Sequence, residues 1–177
     1  MWTARRILKE LADAARRKRI ASAFWRDADD GAKLVAAAQL ARALHFRDDT
    51  IRRMAPEKKA ELLAGRAGAA EFEQTFETAL MLYHTREQRE MLAAFLDRWK
   101  VPHVNGSIEV DDYTPPTVEG VREAVAALAS RFDRQDVAIY LASAGLLMTG
   151  AWREATWPVA DELAPALRPA LDNGSTS

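Results

Sequence analysis

The chain has 177 residues, about the size of one compact domain, and its formal net charge is −1. It contains no cysteine, which excludes disulfides, thiolate metal sites and cysteine nucleophiles. Hydrophobic residues make up 49% of the sequence and glycine and proline are sparse, which excludes collagen-like, disordered and low-complexity classes. Alanine is abundant, with 35 residues against 14 valines and isoleucines together, and this composition favours helix over sheet.

The charges are unevenly distributed along the chain. Residues 1–26 carry eight basic and two acidic side chains, whereas residues 101–119 carry four acids and no base. This asymmetry predicts either a polarised surface or two segments that attract one another in the folded protein.

Hydrophobic periodicity predicts a succession of helices. The first is expected over residues 3–25, with its apolar face opposite a stripe formed by Arg5, Lys9 and Arg16. Further helices are predicted over 27–46, around 48–54 and over 56–65. The stripe from Phe72 to Tyr83 predicts another, and Thr85 with Gln88 resembles a capping box that would start the next helix.

The second half of the chain combines a turn signal with two more helices. Asn105-Gly106 lies between alternating residues and predicts a β-hairpin over residues 101–110. Thr117 and Asp133 are the predicted caps of the following helices. The helix after Asp133 is apolar nearly all round, so we expect it to be central, with close backbone packing at Gly145. Trp152 and Trp157 are expected to flank a loop.

Together these patterns predict an all-α protein of seven or eight helices with one small β-hairpin near residues 101–110. An irregular bundle and a short helical solenoid fit them equally well. We expect residues 1–172 to form a single helical domain and residues 173–177 to form a flexible tail. The longest uncharged run, 137–152, is too short for a membrane span, and no signal peptide is visible, so the predicted location is cytoplasmic. Arginine outnumbers lysine 19 to 6, which is typical of a bacterial codon bias.

One candidate metal site lies in the predicted hairpin and the residues after it. His103, Asp111 and Asp112, with Glu109, would supply an imidazole and hard oxygen ligands for a divalent cation, as in a metal-dependent hydrolase. The hairpin register opposes this interpretation, because His103 and Glu109 would point to opposite faces. A solvated acidic loop is the alternative.

The sequence contains no complete catalytic motif. Gly-x-Ser-x-Gly, His-Glu-x-x-His, phosphate-loop and dinucleotide signatures are all missing. Glu73, Glu77 and His84 share one edge of a predicted helix. There we expect solvated glutamates and a histidine that makes an end-of-helix hydrogen bond. The pattern therefore favours a protein that is not an enzyme and needs no cofactor.

Two binding surfaces remain as hypotheses. Residues 1–26 could contact the phosphates of a nucleic acid through Arg5, Lys9, Arg16, Arg17 and Arg19, unless these cations are solvated or paired within the protein. Trp152 and Trp157 could anchor another protein or a second copy of the chain, because tryptophan is enriched at interfaces. The leading expectation is a non-enzymatic protein–protein interaction or regulatory module, with nucleic-acid binding and a metal-dependent hydrolase as the alternatives.

Overall fold

The computed structural model describes residues 1–110, 112–148 and 150–168, and this part of the chain is all-helical. It contains ten α-helices and two short 3₁₀ segments, Ala70–Phe72 and Ala164–Leu167. The all-α prediction is confirmed, although ten helices replace the seven or eight expected. The α-helices are α1 (Ala4–Glu10), α2 (Ala14–Asp27), α3 (Asp30–Leu44), α4 (Asp48–Arg53), α5 (Pro56–Ala64), α6 (Glu73–Glu87), α7 (Arg89–Arg98), α8 (Val118–Leu128), α9 (Arg134–Leu147) and α10 (Gly150–Leu163).

Helices α6 and α9 organise the packing. Helix α6 contacts α1, α2, α7 and α9, and α9 also contacts α1 and α10. Helix α9 is buried continuously over residues 137–145, as expected for a helix that is apolar on all sides. The main hydrophobic core contains residues from all ten helices. A smaller cluster around Trp152 joins α7, the 101–113 segment and α10.

The close packing predicted at Gly145 is confirmed. A Cβ atom at this position would lie 2.4 Å from Trp157 Nε1 and 2.8 Å from Thr156 Oγ1. The Trp157 indole also donates a 3.1 Å hydrogen bond to the carbonyl oxygen of Ala142. Only glycine therefore lets α10 approach the backbone of α9 this closely.

The single N-terminal helix predicted over residues 3–25 is wrong, because the chain breaks between α1 and α2. Asp13 caps α2 by accepting from the Arg16 backbone amide at 3.0 Å. The amide of Ala12 donates to the carbonyl oxygen of Leu167 at 2.7 Å, and Leu11 is fully buried. A long-range contact with the C-terminal 3₁₀ turn thus stabilises a break that the helical periodicity did not reveal.

The capping box predicted at Thr85 and Gln88 is also wrong. Helix α6 continues through Thr85, whose hydroxyl donates to the carbonyl oxygen of Met81 at 2.8 Å, as residues inside a helix do. Helix α7 begins only at Arg89. Gln88 lies at the joint, where its amide donates to the hydroxyl of Tyr83 at 2.8 Å.

The hairpin predicted over residues 101–110 is reduced to its turn. Val104 and Ser107 form one antiparallel bridge around Asn105 and Gly106, whose φ values of 50° and 85° fit the predicted turn. No strand extends from this bridge within the described residues. The amide of Val101 instead donates to the carbonyl oxygen of Leu96 at 2.9 Å. This backbone N–H therefore pairs with the end of α7 and is not available to a partner strand.

The loop predicted around Trp152 and Trp157 is wrong, because both residues lie inside α10. Pro158 is tolerated within this helix, where it removes the backbone donor for the carbonyl group of Glu154, an exposed residue. Pro165 is the second residue of the 3₁₀ turn that follows α10. The predicted tail, residues 173–177, lies outside the described residues.

Candidate functional site

An open apolar cavity of about 280 Å³ lies between α6, α7, the 105–107 turn and the C-terminal half of α9. We call it the α6–α9 pocket. Among the described residues, no aspartate, glutamate, lysine or arginine lines it. Its polar groups belong to His84, Tyr140, Ser143 and residues of the rim. Its apolar walls are formed by Met81, Leu92, Leu96, Ile108, Leu147 and Met148.

His84 is the unusual polar group of this pocket. Its side chain is 3% exposed, and neither ring nitrogen has a hydrogen-bond partner. The ring packs edge-on against Tyr83 and Tyr140, with centroids 5.5 Å away in both cases. Burial lowers the pKa of His84 to about 3, because an apolar surrounding disfavours the imidazolium. The ring is therefore neutral near pH 7 and offers one donor and one acceptor.

The hydrogen bond expected for His84 at the end of the helix does not form. His84 lies four residues after Leu80, on the same face as the core residues of α6, and this spacing explains its burial. Glu73, expected on the same helix edge as His84, makes contacts with α1 instead. Glu73 accepts from the amides of Ala4 at 2.6 Å and Arg5 at 3.4 Å, so it stabilises the N-terminus of α1.

Exposed apolar side chains surround the mouth of the pocket. Met81 is 45% exposed and Leu147 is 39% exposed, and both line the cavity. The hydroxyl of Ser143 donates to the carbonyl oxygen of Ile139 at 2.7 Å and is therefore already engaged. A group that entered from solvent would meet an apolar rim first and the buried ring of His84 deeper inside.

A second cavity, of about 350 Å³, adjoins the pocket and shares Thr85, Leu92, Gly106 and Ser107 with it. We call it the arginine groove because Arg86 and Arg89 line it. The turn at Gly106 presses onto α7, since a Cβ atom there would lie 2.9 Å from the Cβ atom of Leu92. The turn at Gly106 and the Leu92 side chain of α7 therefore form a shared wall of the two cavities.

The predicted nucleic-acid stripe is divided between two helices and mostly engaged by the protein itself. Arg5 lies 3.6 Å from Glu73, and Arg19 lies 2.6 Å from Glu87. Arg17 donates to the carbonyl oxygen of Leu11. Lys9 is exposed, and its aliphatic stem lies beside Gly68.

Arg16 belongs to a polar network that joins α2, α6 and α9. Its guanidinium lies 2.9 Å from Asp133 and 3.4 Å from Asp136. The hydroxyl of Tyr83 donates to Asp136 at 3.0 Å. Burial raises the pKa of Asp136 and, with the nearby Asp136 charge, raises the pKa of Tyr83 to about 12. The described ion pairs that arginines of residues 1–26 make with other helices thus join them to α6 and α9, and none of these pairs involves the acidic 101–119 segment.

Of the two predicted interface tryptophans, the structure buries Trp152 fully and Trp157 in part. Trp152 is fully buried and its indole donates to the hydroxyl of Tyr113 at 3.1 Å. Trp157 is half-buried against Gly145 and Ala142, with the guanidinium of Arg153 over its ring. Trp152 therefore cannot present an exposed anchor, and the indole of Trp157 is held between α9 and α10.

The predicted metal ligands do not converge among the described residues, where no group of potential ligands could hold an ion. The Nε2 atom of His103 lies 3.1 Å from the carboxylate of Asp97, and its Nδ1 atom accepts from the amide of Gly106 at 3.1 Å. His103 therefore holds the turn through Nδ1 and links it to α7 through Nε2. Asp112 is exposed, and Asp111 lies outside the described residues.

Comparison with known proteins gives no relative for this arrangement. No protein family model, no curated protein and no solved structure matches the chain. No helix in the described part of the chain has the length and apolar character required to cross a bilayer.

Proposed function

We propose that this protein is a non-enzymatic interaction or regulatory module that takes an apolar group of its partner into the α6–α9 pocket. The observation that carries this proposal is the open apolar cavity of about 280 Å³ with Met81 and Leu147 exposed at its mouth. Pockets that recognise ligands or anchor side chains combine apolar walls with a few polar groups. Covering the exposed rim would also remove apolar surface from water, at about 25 cal/mol per Å².

Two features of the pocket support binding over catalysis. A histidine whose pKa is about 3 is a poor general base near neutral pH, where efficient bases have pKa values close to 7. The hydroxyl of Ser143 donates to a backbone carbonyl group of its own helix, not to a base that could activate it.

The alternatives receive less support from the geometry. Nucleic-acid binding through Arg16, Arg17 and Arg19 would require these side chains to leave partners on α9, on α6 and in the α1–α2 break. A metal-dependent hydrolase would require one ring nitrogen of His103 to leave its partner, either the carboxylate of Asp97 or the amide of Gly106. The cytoplasmic location and the bacterial origin stay predictions.

The proposal is tested by NMR of protein labelled with ¹³C at the methionine methyl groups, titrated with toluene and p-cresol. These probes mimic the side chains of phenylalanine and tyrosine. Met81 and Met148 line the pocket, whereas Met54 belongs to a different part of the core. We expect the aromatic probes to shift the resonances of Met81 and Met148 and to leave that of Met54 unchanged.

A matched pair of variants locates the binding. Ala144 lines the pocket, so Ala144→Met fills part of the cavity and should abolish the shifts. Ala126 is exposed on α8, and Ala126→Met should leave them intact. Shifts that persist in Ala144→Met, or that appear equally at Met54, would refute the pocket as the binding site.

A further inference from the structure

We propose that the α6–α9 pocket binds a small amphiphilic monocarboxylate, with its apolar chain in the cavity and its carboxylate between Arg86 and Arg89. The inference rests on the proposed function, because it names the ligand class of the same pocket. Four observations carry it: two arginines without a carboxylate partner among the described residues, the shared lining of the two cavities, their size and the unpartnered ring of His84.

The two arginines lack the carboxylate partners that eight other arginines of the described residues have. Among the described residues, neither Arg86 nor Arg89 lies within 4.0 Å of a carboxylate, and both are exposed. Arg89 makes one hydrogen bond, from Nε to the carbonyl oxygen of Thr85 at 2.7 Å. This bond fixes the side chain and leaves its terminal nitrogens to donate elsewhere. The arginines with carboxylate partners are Arg5, Arg6, Arg16, Arg19, Arg26, Arg122, Arg131 and Arg168.

The pocket and the arginine groove are neighbouring cavities that share four lining residues. Thr85 lines both cavities and lies between His84, which faces the apolar pocket, and Arg86, which faces the groove. Successive residues of a helix are rotated by about 100°, so the lining changes from apolar to cationic within one turn of α6. A ligand that occupied both cavities would need an apolar part and an anionic end.

The two cavities are large enough for a small molecule. An apolar cavity of about 150 Å³ is large enough for benzene. The pocket alone holds about 280 Å³, and with the groove of about 350 Å³ the site falls within the roughly 300–1,000 Å³ typical of small-molecule sites. The carboxylate of the ligand would supply the negative partner that Arg86 and Arg89 lack among the described residues. Arginine pairs with carboxylates in a favourable planar geometry.

His84 is the independent indication that a ligand enters the pocket. Buried polar groups in native proteins are nearly always hydrogen-bonded, and an unpaired one calls for a partner such as a ligand. The ring is neutral, so the anionic end of the ligand stays at the arginines, and a hydroxyl or carbonyl group on the ligand's chain would pair with the ring. Octanoate and octanamide carry no such group on their chains, so they test the apolar and carboxylate contacts alone.

The experiment compares octanoate with octanamide, which has nearly the same shape and no charge. Isothermal titration calorimetry at low ionic strength should show octanoate binding about tenfold more tightly, since two partly exposed ion pairs form. In Arg86→Gln/Arg89→Gln the affinity for octanoate should fall to that for octanamide. In the control Arg52→Gln/Arg53→Gln, which removes the same charge from exposed residues of α4, the preference should persist.

Each other outcome has a definite meaning. Equal binding of octanoate and octanamide would refute the carboxylate site but retain the apolar pocket of the proposed function. If neither octanoate nor octanamide bound, both the carboxylate site and the apolar pocket of the proposed function would be refuted. A preference for octanoate that survived in Arg86→Gln/Arg89→Gln would place the carboxylate elsewhere and overturn the assignment. Binding of a peptide that ends in Leu with a free carboxylate, without binding of octanoate, would favour a protein partner and overturn the small-molecule assignment.

Discussion

The basic segment of α1 and α2 and the α6–α9 pocket differ in how their polar groups are satisfied. In the basic segment, Arg16 and Arg19 each have a carboxylate partner on α6 or α9, and Glu73 caps α1. In the pocket region, His84 has no hydrogen-bond partner, and Arg86 and Arg89 have no carboxylate within 4.0 Å among the described residues. The basic cluster of residues 1–26, the most conspicuous charge cluster of the sequence, therefore serves to hold helices together.

This difference indicates where the binding of a ligand would gain the most free energy. An external phosphate at Arg16 would have to replace an existing carboxylate, so the net gain is small. A ligand at the pocket would satisfy groups that the protein leaves unpaired, and unpaired buried polar groups are costly. The comparison thus favours the α6–α9 pocket over the basic segment as a binding site.

The largest expected effect concerns the acid stability of the pocket. The unfolded chain takes up a proton at His84 near its ordinary pKa of 6.5, whereas the folded protein does so only at about pH 3. The free energy of unfolding should therefore fall with decreasing pH, by about 1.4 kcal/mol per unit between about pH 6 and about pH 4. Urea denaturation at several pH values, compared with His84→Gln, measures this contribution. A slope that is identical in the two proteins would show that the ring is not held neutral by burial.

A smaller effect distinguishes paired from unpaired arginines. Arg16→Met should lower the free energy of unfolding by about 2 kcal/mol, because it leaves the half-buried carboxylate of Asp136 without its cation. Arg86→Met is the matched control and should change stability by less than about 0.5 kcal/mol. Denaturant unfolding of both variants tests the contrast. Equal losses would mean that the network around Asp136 does not contribute to stability.

The smallest effect is expected in nucleic-acid binding. If the arginines keep their intramolecular partners, the exposed Lys9 and Lys18 release about two counterions, and log affinity should fall with log salt at a slope of about −2. Release by all eight cations of residues 1–26 would give a slope of about −7. Fluorescence anisotropy with mixed-sequence DNA and RNA measures the slope. A steep slope would restore the basic segment as a functional surface.

The sequence determined the features that depend on neighbours along the chain. Alanine content and periodicity specify the all-α class, Asp133 caps α9, and Asn105-Gly106 adopts the predicted turn. The burial of α9 also follows from the local pattern, because a helix that is apolar on every side requires neighbours on every side. The need for glycine at 145 does not, because it depends on the indole of Trp157 in α10.

Tertiary structure alone decided which side chains meet. Arg16 and Asp133 are 117 residues apart, and no periodicity relates them. The break after α1 depends on a hydrogen bond from the amide of Ala12 to the carbonyl oxygen of Leu167. The turn at Gly106 is not extended into strands because the amide of Val101 donates to a carbonyl oxygen of α7. The pocket arises because the 105–107 turn, α7 and α9 leave a gap beside His84. A gap of this kind depends on how distant helices pack, whereas helices and turns follow from interactions between residues a few positions apart.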